Sequence, residues 1–238
     1  MMKEFKKKIK GLLNDRLSEY GFQPKQDWFN TRLVDDNVFQ IIDYGTASRG
    51  EKHVIYISMS VGVTYKNVNK YTIICNDYDY VKLHAAMVGK TLGELLPQKE
   101  YKSWRFALGD NDDVIQQNVD EMVNLVVQYG FPYLQKLLDV DFLIEKMYKY
   151  RTLIPIFYYL YGRKEQALEY IDNVIKELSS RPAMDEDYRA IMELYGIEPA
   201  ESVFHGSGRT MIGVCGYLKA GSDLSNIVVV AHPADGTW

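Results

Sequence analysis

The spacing of hydrophobic positions changes several times along the chain, and each change marks a different kind of element. Phe5, Ile9, Leu12, Leu13, Leu17 and Tyr20 recur at intervals of three and four with lysines between them, the pattern of an amphipathic helix. Gly21 supplies a left-handed stop, and Pro24 prevents continuation. Such lysines suit an anionic membrane surface or the wet outer face of a core-docked helix, and the second is the reading adopted.

From residue 27 to 63 the texture becomes aromatic and β-branched, in runs at 28–34, 38–44 and 53–63 separated by Asp35-Asp36-Asn37 and by the glycine-bounded stretch 45–50. These runs predict a three-stranded antiparallel meander. The third run alternates only partly between polar and apolar residues, so it is expected to be covered on both faces or nearly so. Residues 71–75 read as a fourth strand, 81–88 as a short helix, and 101–108, with Trp104 and Phe106, as a strand returning to the sheet.

The second half is helical in pattern. Asp112 and Asp113 precede Val114, Ile115, Val119, Met122, Val123, Val126 and Val127, which predicts a helix with an acidic start running to about residue 129 and broken by Gly130 and Pro132. Further helices follow over 133–148. Residues 151–178 read as a helical hairpin about Gly162, and 185–194 as one more short helix. The hairpin is like one tetratricopeptide unit, but no second copy recurs at a fixed period, so a solenoid is not expected. After Glu201 the chain turns glycine-rich, and 211–218 with 226–231 suit a terminal β-hairpin. Completion of the first sheet, pairing with another chain and an unpacked tail all stay open for it. The expected fold is α+β: an antiparallel sheet with flanking helices over 1–138, a helical extension over 139–200 and a β-like tail over 201–238.

Composition narrows the environment. The 238 residues are 47% hydrophobic and 25% charged, enough apolar material for a core in water without staples. No apolar run approaches the roughly 20 residues of a membrane-spanning helix. Lys3, Lys6, Lys7, Lys8 and Lys10 are not followed by the apolar stretch of a cleaved export signal, so a cytoplasmic location is expected. Cys75 and Cys215 stand far apart and outside any CxxC pattern, so neither a disulfide nor a thiolate metal site is expected. The net charge of −4 offers no general attraction to phosphate backbones, and nucleic acid is not the expected partner.

Local motifs that carry chemistry are sparse. His53, His84, His205 and His232 fall in separate segments, none at a metal-ligand spacing, and no metal or cofactor is expected. Gly109-Asp110-Asn111-Asp112-Asp113 has the start of a calcium loop, but Val114 occupies the next ligand position. Helix capping accounts for it more simply. In His205-Gly206-Ser207-Gly208-Arg209-Thr210 an open backbone and Arg209 suit an anion, yet the motif is neither a Walker loop nor a nucleophile elbow. Ser207 would need a distant histidine and an acid to act as a nucleophile. The run Asp77-Tyr78-Asp79-Tyr80 suits a recognition surface, since tyrosine brings contact area and a hydroxyl while the carboxylates pair with a basic partner.

The order of features resembles a bacterial uncharacterised family, the domain of unknown function four-three-zero-four. The resemblance rests on the opening helix over 5–20, Gly21-Phe22, Trp28-Phe29, the strand 38–44, the turn Ser48-Arg49-Gly50, the strand 55–63 and the helical run from Val114 through Leu138. It covers about residues 3–147, and departs from the family where Gly45-Thr46-Ala47-Ser48 stands in place of a more polar strand end. It implies no established activity, cofactor or catalytic residue; some similar bacterial α+β proteins are immunity proteins that plug toxins. The resulting expectation is a non-enzymatic binding protein with a protein partner, an immunity protein being its most specific form, with Asp77, Tyr78, Asp79, Tyr80 and Arg209 as candidate contacts. Two other readings stay open: a ligand sensor or enzyme whose site is assembled from distant residues such as His205, Ser207 and Arg209, and an oligomeric module exchanging its terminal hairpin.

Overall fold

The opening helix, α1 (Met2–Ser18), buries Phe5, Ile9, Leu13 and Leu17 and leaves Lys3, Lys6, Lys7 and Lys8 exposed. It stops as expected: Gly21 adopts φ +80, its N–H returns to Ser18 O (2.9 Å), and Phe22 N–H returns to Leu17 O (3.3 Å). This computed structural model describes residues 1–25, 28–76, 79–146, 153–179, 212–215 and 229–232. The chain divides into two compact units, residues 1–69 with 80–146, and residues 70–79 with 147–238.

The first unit holds an antiparallel sheet ordered β1 (Gln23–Pro24), β2 (Phe29–Leu33), β3 (Val38–Ala47), β4 (Val54–Tyr65), β5 (Val88–Thr91), with β6 (Trp104–Ala107) also paired to β4. Between β2 and β3 the Asp35 carboxylate accepts from Asn37 N (2.7 Å) and Val38 N (2.9 Å), a side-chain mimic of a backbone turn. The β3–β4 ladder runs from Val38↔Tyr65 to Ala47↔Tyr56. The other edge of β4 is shared, with β5 on Ser60–Val63 and β6 on Val54–Ile57.

Alternation assigns the two sheet faces. One carries Asn30, Ile42, Tyr44, Ile57, Met59, Val61 and Val63 and is turned to helices. There Asn30 Nδ2 donates to Asn14 Oδ1 of α1 (3.0 Å) and to the Tyr44 hydroxyl (2.8 Å). Arg32 Cζ lies 4.6 Å from the Phe22 ring and 5.1 Å from that of Phe131, and Arg32 donates to Gln40 Oε1 and Tyr20 O. The second face is covered at one end only. The loop before β5 is anchored by Thr64 Oγ1, which donates to Ala85 O (2.5 Å), and a Cβ on Gly62 would lie 2.5 Å from Ala86 Cβ and 2.4 Å from Val88 O. Val61 through Tyr65 are therefore all buried, so the two-sided cover expected over 53–63 holds only toward the end of the strand. Toward residue 54 the second face is open, presenting Tyr56, Ser58 and Ser60.

Two expectations for the middle of the chain are corrected. Residues 71–75 belong not to a strand but to α2 (Lys66–Asn76). Asn37 nucleates that helix by accepting from Lys66 N at its carbonyl (2.8 Å) and from Asn67 N at its side chain (2.9 Å), and a short apolar run follows whichever start its neighbours set. Residues 81–88 form turns rather than a helix. Ala85 N bonds Tyr80 O, Met87 N bonds Val63 O, and the sheet edge claims Val88.

After α3 (Leu92–Leu95) and β6, the helix α4 (Asp112–Leu125) starts where expected, with Asn111 Oδ1 accepting from Val114 N (2.9 Å). Gly130 and Pro132 do not end the run. It passes through one π turn, Val126–Gly130, into α5 (Phe131–Lys136); the wider turn is closed by Phe131 N–H on Val126 O, and Pro132 falls in the first turn of α5, where a missing N–H is tolerated. Gly130 then lies against Val61, a Cβ there being 3.2 Å from Val61 Cγ1. The unit closes with α6 (Val140–Lys146).

In the second unit, α7 (Ile154–Leu160) and α8 (Lys164–Ser179) form the expected hairpin about Gly162, at φ +77. Strands β7 (Ile212–Cys215) and β8 (Val229–His232) pair antiparallel, overlapping the stretches expected to make a hairpin. The helix expected at 185–194 lies outside the described residues.

Candidate functional site

The open end of the second face is built from two polar series at strand period. Tyr56 and Ser58 on β4 stand beside Arg105 and Ser103 at β6, and Ala47 and Gly45 on β3 occupy the same face. Because the β3 neighbours are small, the β4 side chains are reached from solvent and from the turn above them. That turn is unusual: Arg49, Gly50 and His53 adopt φ values of 48, 78 and 62, in the left-handed region that strains a residue with a Cβ.

The turn delivers Arg49 and Glu51 onto the sheet. The Arg49 guanidinium carbon lies 4.4 Å from the Tyr56 ring centroid and 5.4 Å from that of Tyr101, and Nη2 donates to Ser103 Oγ (3.2 Å). The Tyr56 hydroxyl donates to Glu51 Oε1 in a short contact, and Arg105 Nη2 approaches Glu51 Oε2 at 3.4 Å. The hydrogen bond from Tyr56, aided by Arg105, holds the Glu51 carboxyl below its usual pKa, and the Tyr56 phenol is raised in turn by Glu51. Hydrogen bonding to Ser58, with Arg49 and Ser103, lowers the Tyr101 phenol. Tyr101 remains 67% exposed. Below it Trp104 is buried, with Lys102 Nζ 5.0 Å from its ring.

Chemically this group offers flat contact area and hydrogen-bond donors. Arginine and tyrosine provide flat, amphipathic contact area and directional donors at small entropic loss. Of the serine hydroxyls, Ser103 Oγ accepts from Arg49 and Ser60 Oγ donates to the Asp43 carboxylate (3.4 Å). Among the described residues no group of three or more His, Cys, Asp and Glu side chains is placed to hold a metal ion. Asp110 accepts from Ala107 N (2.6 Å) and Asn111 from Val114 N, so both residues of the calcium-like run serve the turn and cap of α4.

Of the five candidate contacts read from sequence, Asp77, Tyr78 and Arg209 lie outside the described residues, as do His205 and Ser207. Asp79 and Tyr80 are half-buried, and the Tyr80 carbonyl accepts from Ala85 N (2.9 Å). The Arg49 group contains none of the five. Its sequence signal is the alternation Tyr56, Ser58, Ser60 in β4 and Tyr101, Ser103, Arg105 running into β6; only the register of β4 with β6 joins them. No protein-family model, curated protein or solved structure matches the chain.

Proposed function

We propose that this chain is a non-enzymatic, cytoplasmic protein-binding module that engages a protein partner through the Arg49–Tyr101 surface, with toxin neutralisation by complex formation as its specific form. The carrying observation is that two arginines and two tyrosines gather on the open face of an otherwise covered sheet, fixed by strands and by a strained turn. Binding energy at interfaces concentrates on such anchors when rigid elements hold them. The resemblance of residues 3–147 to a bacterial family without established activity fits the same reading, since some similar bacterial α+β proteins are immunity proteins.

The test is affinity purification from the native host with the wild-type chain and the Arg49→Ala/Tyr101→Ala variant as paired baits. One protein is expected to co-purify stoichiometrically with the wild type and to bind the variant at least about tenfold more weakly, the effect of losing interface anchors. Equal recovery by both baits, or a co-purifying small molecule without a protein, would count against the role.

A further inference from the structure

We infer that the occupant of the Arg49–Tyr101 surface is a carboxylate on an acidic, extended segment of the partner protein, and that Glu51 is a built-in competitor holding that carboxylate's place. This rests on the protein-binding reading and adds the chemistry of the partner.

Charge is the first argument. Residues 48–53 and 99–105, which meet at this end of the sheet, carry Arg49, Lys52, Lys99 and Arg105 against Glu51 and Glu100, with Lys102 already paired to Glu121 of α4, in a chain whose net charge is −4. The local excess is positive while the whole chain repels polyanions, a combination that selects a short acidic segment over nucleic acid.

Donor geometry is the second. Arg49 is held by two aromatic rings and by the Ser103 hydroxyl; the Glu51 carboxylate feels its charge, but among the described residues no carboxylate hydrogen bond to Arg49 is seen, so its guanidinium fork keeps donors for one. Arg105 meets Glu51 through a single contact of 3.4 Å, with side chains 50% and 43% exposed. An exposed one-point pair of that length is weak and exchangeable. Glu51 already shows what the surface accepts: a carboxylate bonded by the Tyr56 hydroxyl and facing Arg105. An incoming carboxylate replaces it without leaving a buried charge, because Glu51 returns to water.

The probe is a fluorescein-labelled decapeptide of alternating Glu and Ser, which presents a carboxylate on one face about every 7 Å when extended, with Gln-Ser and Lys-Ser peptides and a DNA duplex as comparators. Fluorescence anisotropy is expected to show saturable, salt-sensitive binding of the Glu-Ser peptide alone. Glu51→Gln should tighten it about three- to tenfold, because a competing charge is removed, and Arg49→Gln/Arg105→Gln should weaken it at least tenfold, because two charge-assisted hydrogen bonds disappear. Unchanged thermal unfolding of the variants controls for the fold. Equal binding of the Gln-Ser or Lys-Ser peptide, tighter binding of DNA, or a loss of affinity in Glu51→Gln would overturn the inference. If the acidic peptide fails while the native partner is still lost on Arg49→Ala/Tyr101→Ala, the carboxylate chemistry is wrong and the surface right. If the partner ignores that variant, both fall.

Discussion

Asp43 stands on the second face of the sheet between Phe29 and Ser60, half-buried. Burial raises its carboxyl pKa, and the hydrogen bonds from Ser60 and the Tyr44 backbone only partly offset this. A carboxyl whose folded pKa lies above its unfolded value favours folding through its protonated form. That contribution is fully present below the usual 3.8 and is lost as pH rises through the folded value. Asp43→Asn, which keeps a hydrogen-bonding side chain without the charge, is therefore expected to be more stable than wild type in urea at pH 7. The advantage should shrink as pH falls through the raised folded pKa and vanish below 3.8. A constant difference across that window would show that the carboxylate is not the destabilising group.

At the level of elements, the helical run from Asn111 to Lys136 shows how local signals and packing divide the work. Its start is local: Asn111 caps the first turn, and Asp112 and Asp113 complement the helix dipole. Asn111→Ala is expected to lower the unfolding free energy by about 1 kcal/mol, with Asn111→Asp close to neutral, as read from urea denaturation. A loss well under a few tenths in the alanine variant would mean that water or a neighbour satisfies Val114 N instead. The continuation past Gly130 and Pro132 is not local. Gly130 lies against Val61, and the Phe131 ring stacks on Phe22 at 5.7 Å and meets Tyr20 edge-on at 5.3 Å. Those contacts favour one π turn over a break. The opposite outcome holds for residues 81–88, where the free edge of β4 and the close approach permitted by Gly62 and Gly89 turn a helix-like run into a loop and strand.

For the molecule as a whole, the ordering of the first unit centres on β4, which alone pairs with β3, β5 and β6. Opening its amides requires breaking ladders on both edges and exposing residues such as Ile57, Val61 and Val63, each at most 1% exposed. Hydrogen exchange followed by mass spectrometry is expected to find the slowest amides in Ile57–Val63 and fast ones in the turn 48–53, which is closed by Glu51 N–H on Ser48 O. Protection peaking in the helices instead would place the stability centre off the sheet. The same architecture separates roles: the helix-covered face carries stability, and the uncovered end carries exposed arginine and tyrosine whose loss leaves the core untouched.

The sequence by itself determined the amphipathic α1 with its Gly21 stop, the β2–β3–β4 meander, β6, the acidic start of α4, the α7–α8 hairpin and hence the α+β class. Each rests on interactions between residues near one another in the chain: helical stripes, side-chain caps and turn chemistry. Only the tertiary structure decided that residues 71–75 coil, that 81–88 do not, that the helix survives Gly130 and Pro132, and that residues 49–56 meet 101–105. Those outcomes depend on partners far away in the chain, such as Asn37 for α2 and Val61 for Gly130. Composition and spacing carry no record of such pairings. The candidate site belongs to this second class: its members are ordinary polar residues of strands and turns, and the pairing of β4 with β6 and the fold of the turn 48–53 make them neighbours.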